Sequence, residues 1–406
     1  MRIAILGAGS AGVCTALELA RRGHAADLYD ENPEPVTRAS QNNEGKIHLG
    51  LVYAKDDSLK TARTMILGAI HFTACLKRWI DLDQHDACIS SPYYYAVHRG
   101  TMTDPDHLER HYDQCKRMLA DACASTGLSY MDGERRLLVE KLSTREMEEL
   151  VDREYFLSLF RTSERAVDPR VVGDRLRAAV HANPRVRFIA NARVSDAAWS
   201  DGTRLRVSFR LNGEEYSETY DQVVNALWHG RLEIDAKLGL APERDWLYRY
   251  KLGGWLNAPV EPKTVPSLTI VLGPFGDLVN FGPRGLYLSW YPVGMIGTSR
   301  DLKPPEWDLS LPEASRRAVL RDSYEELRRR CPPLRSLDYA ECVAEPAGGV
   351  IFAWGATDIH NEDSPLHTRY QIGIHSVRNY HSVNTGKYTM GPYLGYKTAE
   401  RVLGIA

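Results

Sequence analysis

Glycines at positions 7, 9 and 12 stand in the spacing Gly-x-Gly-x-x-Gly, and an acid, Asp30, follows them. Residue types in that order can hold a dinucleotide. Gly7 permits a tight turn, Gly9 removes the Cβ that would keep a pyrophosphate off the backbone, and Gly12 lets a helix sit close to a strand. Ser10 and Ala11 open that helix and turn their amides towards phosphate. Asp30, with Glu31 beside it, can accept hydrogen bonds from ribose hydroxyls.

The elements that must carry these residues surround them. Ile3-Ala4-Ile5-Leu6 is a short apolar run suited to a buried parallel strand. Leu17, Leu19 and Ala20 continue a helix that Gly23 ends, and Ala25 to Tyr29 forms a second strand closing on Asp30. Strand, glycine turn, helix and acid in sequence predict a dinucleotide-binding βαβ unit rather than a glycine-rich turn of another kind.

A chain of 406 residues holds two or three domains' worth of core. Fifty-one basic against fifty-three acidic residues leave a net charge of −2, which gives no general attraction to nucleic acid or to an anionic membrane. No apolar run reaches the ~18 residues of a membrane span. The first strand begins at residue 3, so we expect no signal peptide and a cytoplasmic location. Seven cysteines, odd in number and without a Cys-x-x-Cys pair, point to reduced thiols.

Along the chain, Ser58 is placed to cap a helix from Leu59 to about Ile80, whose apolar positions share one face. Pro92 to Val97 reads as a strand, with its tyrosines packing inside a sheet. Asp104-Pro105 opens a helix to about Thr126, and charged helical segments are expected from Gly133 to about Phe160. Asp168-Pro169 starts a helix to Ala182. Strands follow at Val186–Ile189, around 204–211 and 214–220, and at Tyr220–Ala226. Runs at 248–256, 268–272 and 285–291 suggest an antiparallel sheet, and a charged helix spans Pro312 to Arg330. In the first of these runs Arg249 and Lys251 alternate with Tyr248 and Tyr250, so one pair faces any cavity and the other faces away. His360, His367, His375 and His381 show no metal-ligand spacing, and we expect no metal site.

Two further stretches carry a resemblance. Ser40-x-Asn42-x-x-Gly45-x-Ile47-His48-x-Gly50-x-x-Tyr53, followed by Ser58-Leu59-Lys60, resembles the loop after the second strand in the D-amino-acid-oxidase superfamily of FAD-dependent oxidoreductases. Within it the loop is most similar to L-2-hydroxyglutarate oxidases, and more loosely to glycerol-3-phosphate dehydrogenases. The segment Gly386 to Ala399 resembles the family's closing Gly-x-x-x-x-x-Pro-x-x-Gly-x-x-x-Ala.

The resemblance implies an α/β fold with two parts. One is a Rossmann-like FAD-binding domain of glutathione-reductase type, over 1–85, 160–247 and 345–406. The other is a substrate domain of α+β type built on an antiparallel sheet, over 86–159 and 248–344. It implies FAD as cofactor. Ser40, Asn42, Gly45, Lys46, Ile47 and His48 would run beside the pyrophosphate and flavin, and the Val194 backbone would meet adenine. Ala226, Leu227 and Trp228 would lie beneath the cofactor, although Leu227-Trp228-His229-Gly230 departs from the family's tight Ala-Gly turn. Gly386, Lys387, Tyr388, Thr389 and Met390 would pass the flavin ring, with a helix N-terminus aimed at its N1–C2=O edge.

The implied activity is oxidation of a CH–OH or CH–NH centre in a small polar substrate, such as a 2-hydroxy acid, amino acid or amine. Hydride passes to flavin N5, and electrons leave to oxygen, a quinone or another acceptor. His48 and Lys387 are the first candidates for catalysis, Arg249 for a carboxylate clamp and Tyr250 for orienting the substrate. His48 has three open readings: a structural histidine beside the flavin, a substrate or flavin contact, or a point of covalent attachment. Lys387 is the candidate ammonium for negative charge at the flavin edge, or else a surface lysine. Two other functions stay open at this stage, a monooxygenase using NAD(P)H and a flavin-binding subunit of a larger complex.

Overall fold

The computed structural model describes residues 1–82, 89–131, 133–200, 202–258 and 264–405. Cys88 and the expected domain boundary at 85/86 lie outside them. At the centre is a six-stranded sheet in the order Gly373–Val377, Tyr380–Asn384, Gln222–Asn225, Ile3–Leu6, Ala26–Tyr29, Val186–Ile189. Its strands run parallel except for the edge hairpin of the first two. Ile3–Leu6 is buried at every residue, as its unbroken apolar run requires. Strand alternation sends Ile3 and Ile5 into one core with the helices, and Ala4 and Leu6 into another. That second core is closed by a three-stranded sheet, Ala192–Trp199, Leu205–Leu211 and Glu214–Tyr220.

Helix Ser10–Arg21 packs against the C-terminal helix Gly391–Val402. Glycine makes this approach possible: a Cβ on Gly395 would stand 2.5 Å from Cys14 Cβ, and one on Gly391 would stand 2.6 Å from Ser10 Oγ. The two helix N-termini are therefore held side by side.

The second body is a nine-stranded sheet. It is antiparallel apart from one parallel pair, Tyr93–His98 with Ser267–Val271. Tyr93 and Tyr95 are buried in it. Helix Glu313–Arg330 covers its outer face through Leu320, Tyr324 and Leu327.

Several sequence expectations are corrected. The first turn of the long helix Lys60–Leu76 is capped by two side chains, not by Ser58 alone: Ser58 Oγ accepts from Lys60 N at 3.3 Å and Asp56 Oδ2 from Thr61 N at 2.9 Å, while Leu59 holds the N-cap position. The helix also stops at Leu76, short of Ile80. In the charged stretch 133–160 the described residues hold one short helix, Thr144–Leu150, between strands Val139–Lys141 and Phe156–Thr162. Phe156 and Leu159 are drawn into the core of the large sheet, and that burial outweighs the helical composition. The boundaries expected at 160, 248 and 345 each fall inside a strand of the large sheet. The last does so because Val343–Trp354 pairs along its full length with Trp246–Asn257, and the chain rejoins the parallel sheet only at Gly373.

Candidate active site

A cleft of ≈ 400 Å³ runs between the parallel sheet and the large sheet. At one end it is built from the glycine turn. Gly7 adopts φ +96°, and a Cβ there would lie 2.6 Å from Ala226 O. A Cβ on Gly12 would lie 1.9 Å from Gly7 O, so helix and turn meet backbone to backbone. The helix beginning at Ser10 has neither a side-chain cap nor an acid in its first turn. Beyond the Ser10 amide its first turn is left open to an anion. Asp30 Oδ2 accepts from Ala8 N at 2.7 Å, and Ser40 Oγ accepts from Ser10 N at 3.0 Å, which ties the second strand and the following loop to the turn. Val194 and Glu31 line the same end. Trp228 stands at φ +54°, and its Nε1 donates to Val350 O at 2.7 Å. The departure from an Ala-Gly turn thus joins the two bodies.

The other end gathers the loop 44–49 and the C-terminal loop. Thr389 bridges them: its Oγ1 accepts from His48 N at 3.1 Å and donates to Lys46 O at 3.1 Å. His48 is 3% exposed, and its Nδ1 has no partner among the described residues. Burial, with the Lys387 and Lys46 ammoniums close by, holds its pKa well below the ordinary histidine range, so the ring is neutral. The Lys387 ammonium makes no hydrogen bond or ion pair among the described residues. Burial, with Arg369 and Lys251 nearby, lowers its pKa to about 8 against the opposing pull of Glu44. Helix Gly391–Val402 again has no side-chain cap and no acid in its first turn, and Gly391 lines the cleft.

The large sheet supplies the remaining wall. Strand alternation turns Arg249 and Lys251 inward and Tyr250 outward. The Tyr250 hydroxyl donates to Asp308 and its ring stacks on Trp307, so Tyr250 is withdrawn as a substrate-orienting residue. Arg249 is 1% exposed. Its Nη1 donates to Asp358 Oδ1 at 2.9 Å and to Tyr291 Oη at 3.2 Å, while its buried Nε has no partner among the described residues. Arg369, 7% exposed, donates from Nη1 to Phe352 O at 3.1 Å. Lys46 reaches across to this wall, donating to Thr269 and pairing with Asp277 at 2.7 Å above the Tyr93 ring.

Gly7, Gly9, Ser10, Ala11, Asp30, Glu31, Ser40, Lys46, His48, Val194, Ala226, Leu227, Trp228, Arg249, Gly386, Lys387 and Tyr388 all line one cleft. Gly12, Asn42, Gly45, Ile47, Thr389 and Met390 stand behind it. Asn42 Nδ2 donates to Gly348 O at 3.0 Å, Gly45 adopts φ +67° against Val167 O, and Ile47 and Met390 are core. Glu44, Asp277 and Arg369, and Asp358 paired to Arg249, were missed as site residues: Glu44 occupies a variable position of the 40–53 motif and the others sit in no motif.

FAD fits what is present. Two uncapped helix N-termini, a carboxylate at the end of the second strand and glycines whose Cβ atoms would collide with neighbouring backbone match a long anionic dinucleotide with a polar ring edge. Among the described residues no cluster of His, Cys, Asp and Glu could hold a metal ion, and no helix is long and apolar enough to cross a membrane.

The structure is similar to glycine oxidase from Geobacillus kaustophilus, with a TM-score of 0.69 at 14% identity, covering 100% of this chain and 95% of that one. It is also similar to iminodiacetate oxidase from Chelativorans sp. BNC1, with a TM-score of 0.65 at 15% identity over 100% and 96% of the two chains. FAD-bound L-alpha-glycerophosphate oxidase from Mycoplasma pneumoniae gives 0.65 at 14% identity over 99% and 94%. D-amino acid dehydrogenase from Cereibacter sphaeroides is 31% identical over 138 residues, 32% of this chain and 30% of that protein's length. The sequence profile of the family described as "DAO: FAD dependent oxidoreductase" matches residues 2–401. With a match over nearly its whole length, the chain belongs to the DAO family of FAD-dependent oxidoreductases, and its cofactor is FAD.

Proposed function

We propose that this protein oxidises a CH–OH or CH–NH centre next to a carboxylate in a small polar molecule. The observation that carries the reading is Arg249, a buried guanidinium on the cleft wall whose Nε edge is left open while Nη1 is anchored to Asp358. A carboxylate can close that edge with charge-assisted hydrogen bonds. FAD bound in the cleft supplies the two-electron acceptor.

The chain's own groups then have separable tasks. Arg249 holds the carboxylate and fixes the neighbouring carbon. His48, neutral and with a free Nδ1, can exchange a hydrogen bond with the substrate's hydroxyl or amine. Lys387 keeps a positive charge at the ring end of the cleft below pH of about 8. Cations outnumber acids on this wall: Arg249, Lys251, Lys46, Arg369 and Lys387 stand against Glu44 and Asp277, with Asp358 paired to Arg249. That balance favours a substrate of net negative charge. The 40–53 loop's likeness to L-2-hydroxyglutarate oxidases supports a 2-hydroxy acid, and the names of the similar amino-acid enzymes support an amine. The electron acceptor is oxygen, a quinone or a protein partner.

The test is the visible spectrum of purified protein before and after acid precipitation, then anaerobic titration with 2-hydroxy acids, amino acids and N-methyl amines. We expect yellow colour released by acid and bleached by one carboxylate-bearing compound. The bleaching rate should fall above pH of about 8 as the Lys387 ammonium is lost. Lys387→Met should lack that limb and be slower by roughly 10²-fold or less, with FAD still bound. Bleaching only by uncharged alcohols or amines would defeat the reading.

A further inference from the structure

We propose that Glu44 is the proton acceptor of this site, a catalytic residue that takes the hydroxyl or amine proton of the substrate as its carbon is oxidised. The inference rests on the functional reading above. Two carboxylates, Glu44 and Asp277, line the substrate end of the cleft, and a third, Asp358, pairs with the cleft-lining Arg249. Asp277 accepts from Lys46 Nζ at 2.7 Å and from Thr269 Oγ1 at 2.9 Å. Asp358 accepts from Arg249 at 2.9 Å and from Ile359 N at 2.7 Å. Glu44, half-buried, makes no hydrogen bond or ion pair with any described residue. It is the one carboxylate of the three with its lone pairs uncommitted.

Its place is set by backbone contacts on both sides. Asn42 donates to Gly348 O, and a Cβ on Gly349 would meet Asn42 O at 3.2 Å, so the loop lies against strand Val343–Trp354 at those residues. Gly349 is the register partner of Lys251. Gly45, locked at φ +67° with no room for a Cβ, turns the chain from Glu44 towards His48. Glu44 therefore stands between the inward-facing sheet residues and the histidine loop. The charged and titratable groups that feel it are Lys251 and Tyr287 on the sheet, Tyr93 beside them, Tyr53 on its own segment, and Lys387 from the C-terminal loop. Neither Lys251 nor Lys387 pairs with Glu44 among the described residues, and Lys251 lies 3.9 Å from Asp277 instead.

Elimination supports the same group. Lys387 is protonated at neutral pH and has no lone pair to offer. A proton on His48 would create a buried cation, whereas a proton on Glu44 removes a charge. Burial already opposes protonation of the histidine, which makes it the poorer acceptor. Let the reacting unit be H–C–X–H, with X oxygen or nitrogen. FAD, when bound, would supply the acceptor for the C–H hydrogen and its electron pair; the X–H proton passes to a Glu44 carboxylate oxygen, and the pair left on X forms C=X. A hydride and a proton thus leave the substrate by separate routes.

The experiment is anaerobic stopped-flow reduction of the FAD-loaded protein by whichever 2-hydroxy acid, amino acid or N-methyl amine bleaches the wild type, followed against pH. Glu44→Gln should keep its FAD spectrum and be slower by on the order of 10²-fold or more across the pH range followed. Glu44→Ala is the second variant, and added formate should restore part of its rate by putting a carboxylate back in the gap. A Glu44→Gln protein with wild-type rate and pH profile, or a Glu44→Ala protein that formate leaves unchanged, overturns the assignment. A wild type that no compound bleaches overturns the functional reading and this role with it. A bleached wild type beside an equally fast Glu44→Gln overturns this role alone.

Discussion

The two ends of the cleft are built on different principles. At the dinucleotide end the glycine turn at Gly7 and the start of helix Ser10–Arg21 present backbone amides, with Asp30 tied to the turn through Ala8 N. At the substrate end the ligand-facing groups are side chains, Arg249, Lys251, Arg369, Lys387, Glu44 and His48, delivered from segments far apart in the chain. Backbone geometry constrains residue type over a short window, so such a site can be read locally and tolerates little change. A side-chain site constrains only what points inward, so it is diffuse in sequence and open to respecialisation.

The largest expected effect belongs to the backbone end. Gly12→Ala would set a Cβ 1.9 Å from Gly7 O, and neither the helix nor the turn can withdraw without breaking the glycine turn. We expect a cost of roughly 3 kcal/mol or more, read as a large fall in melting temperature with loss of bound FAD. By contrast, a Cβ on Gly23 would meet nothing within 4 Å, so Gly23→Ala should cost only its φ of +89°, about 1 kcal/mol. Equal melting of the two variants would erase the distinction.

At the side-chain end the counterpart is Arg249→Leu. It removes the proposed carboxylate contact and leaves the half-buried Asp358 without its guanidinium. Truncating one partner of such a pair costs about 2–5 kcal/mol. The loss should appear mainly as a rise in the substrate concentration needed for flavin reduction, with FAD retained. Arg249→Lys should fall between, keeping the charge but not the fork. If Arg249→Leu lost FAD before it lost substrate affinity, the two ends would not be separable.

The same contrast explains what could be read in advance. Ile3–Leu6, the glycine turn and Asp30 were legible because each residue type is dictated by its immediate neighbours. The helix caps at Asp104 and Asp168 were legible for the same reason, and both accept from the backbone amide two residues on. The inward turn of Arg249 and Lys251 was only half legible: alternation paired them, but the packing of Tyr250 on Trp307 decided the direction. Strand Val343–Trp354 was hidden because its partner lies about a hundred residues earlier, and long-range pairing leaves little local mark. Glu44 was passed over inside a loop that was otherwise recognised. Its significance comes from an absence of partners, and only the assembled wall reveals that.

A smaller effect is expected where the two principles meet. The segment 303–308 comes from the substrate body, yet Lys303, Glu306 and Asp308 line the dinucleotide end of the cleft. It is held there by Arg38 to Asp308 at 3.2 Å and Arg193 to Glu306 at 3.4 Å, and by the Tyr250 hydroxyl on Asp308. Arg38 and Arg193 are 38% and 49% exposed, so each pair is worth about 0–1 kcal/mol. Arg38→Ala should therefore speed FAD release only about two- to fivefold, followed by the rise of flavin fluorescence on dilution. The difference from wild type should shrink between 0.1 and 1 M salt, as the screening length falls from ~10 to ~3 Å. Tyr250→Phe removes a neutral donor from the same carboxylate, and its effect should not depend on salt. If both variants release FAD at the wild-type rate, the segment lines the cleft without closing it, and the dinucleotide end is held by backbone alone.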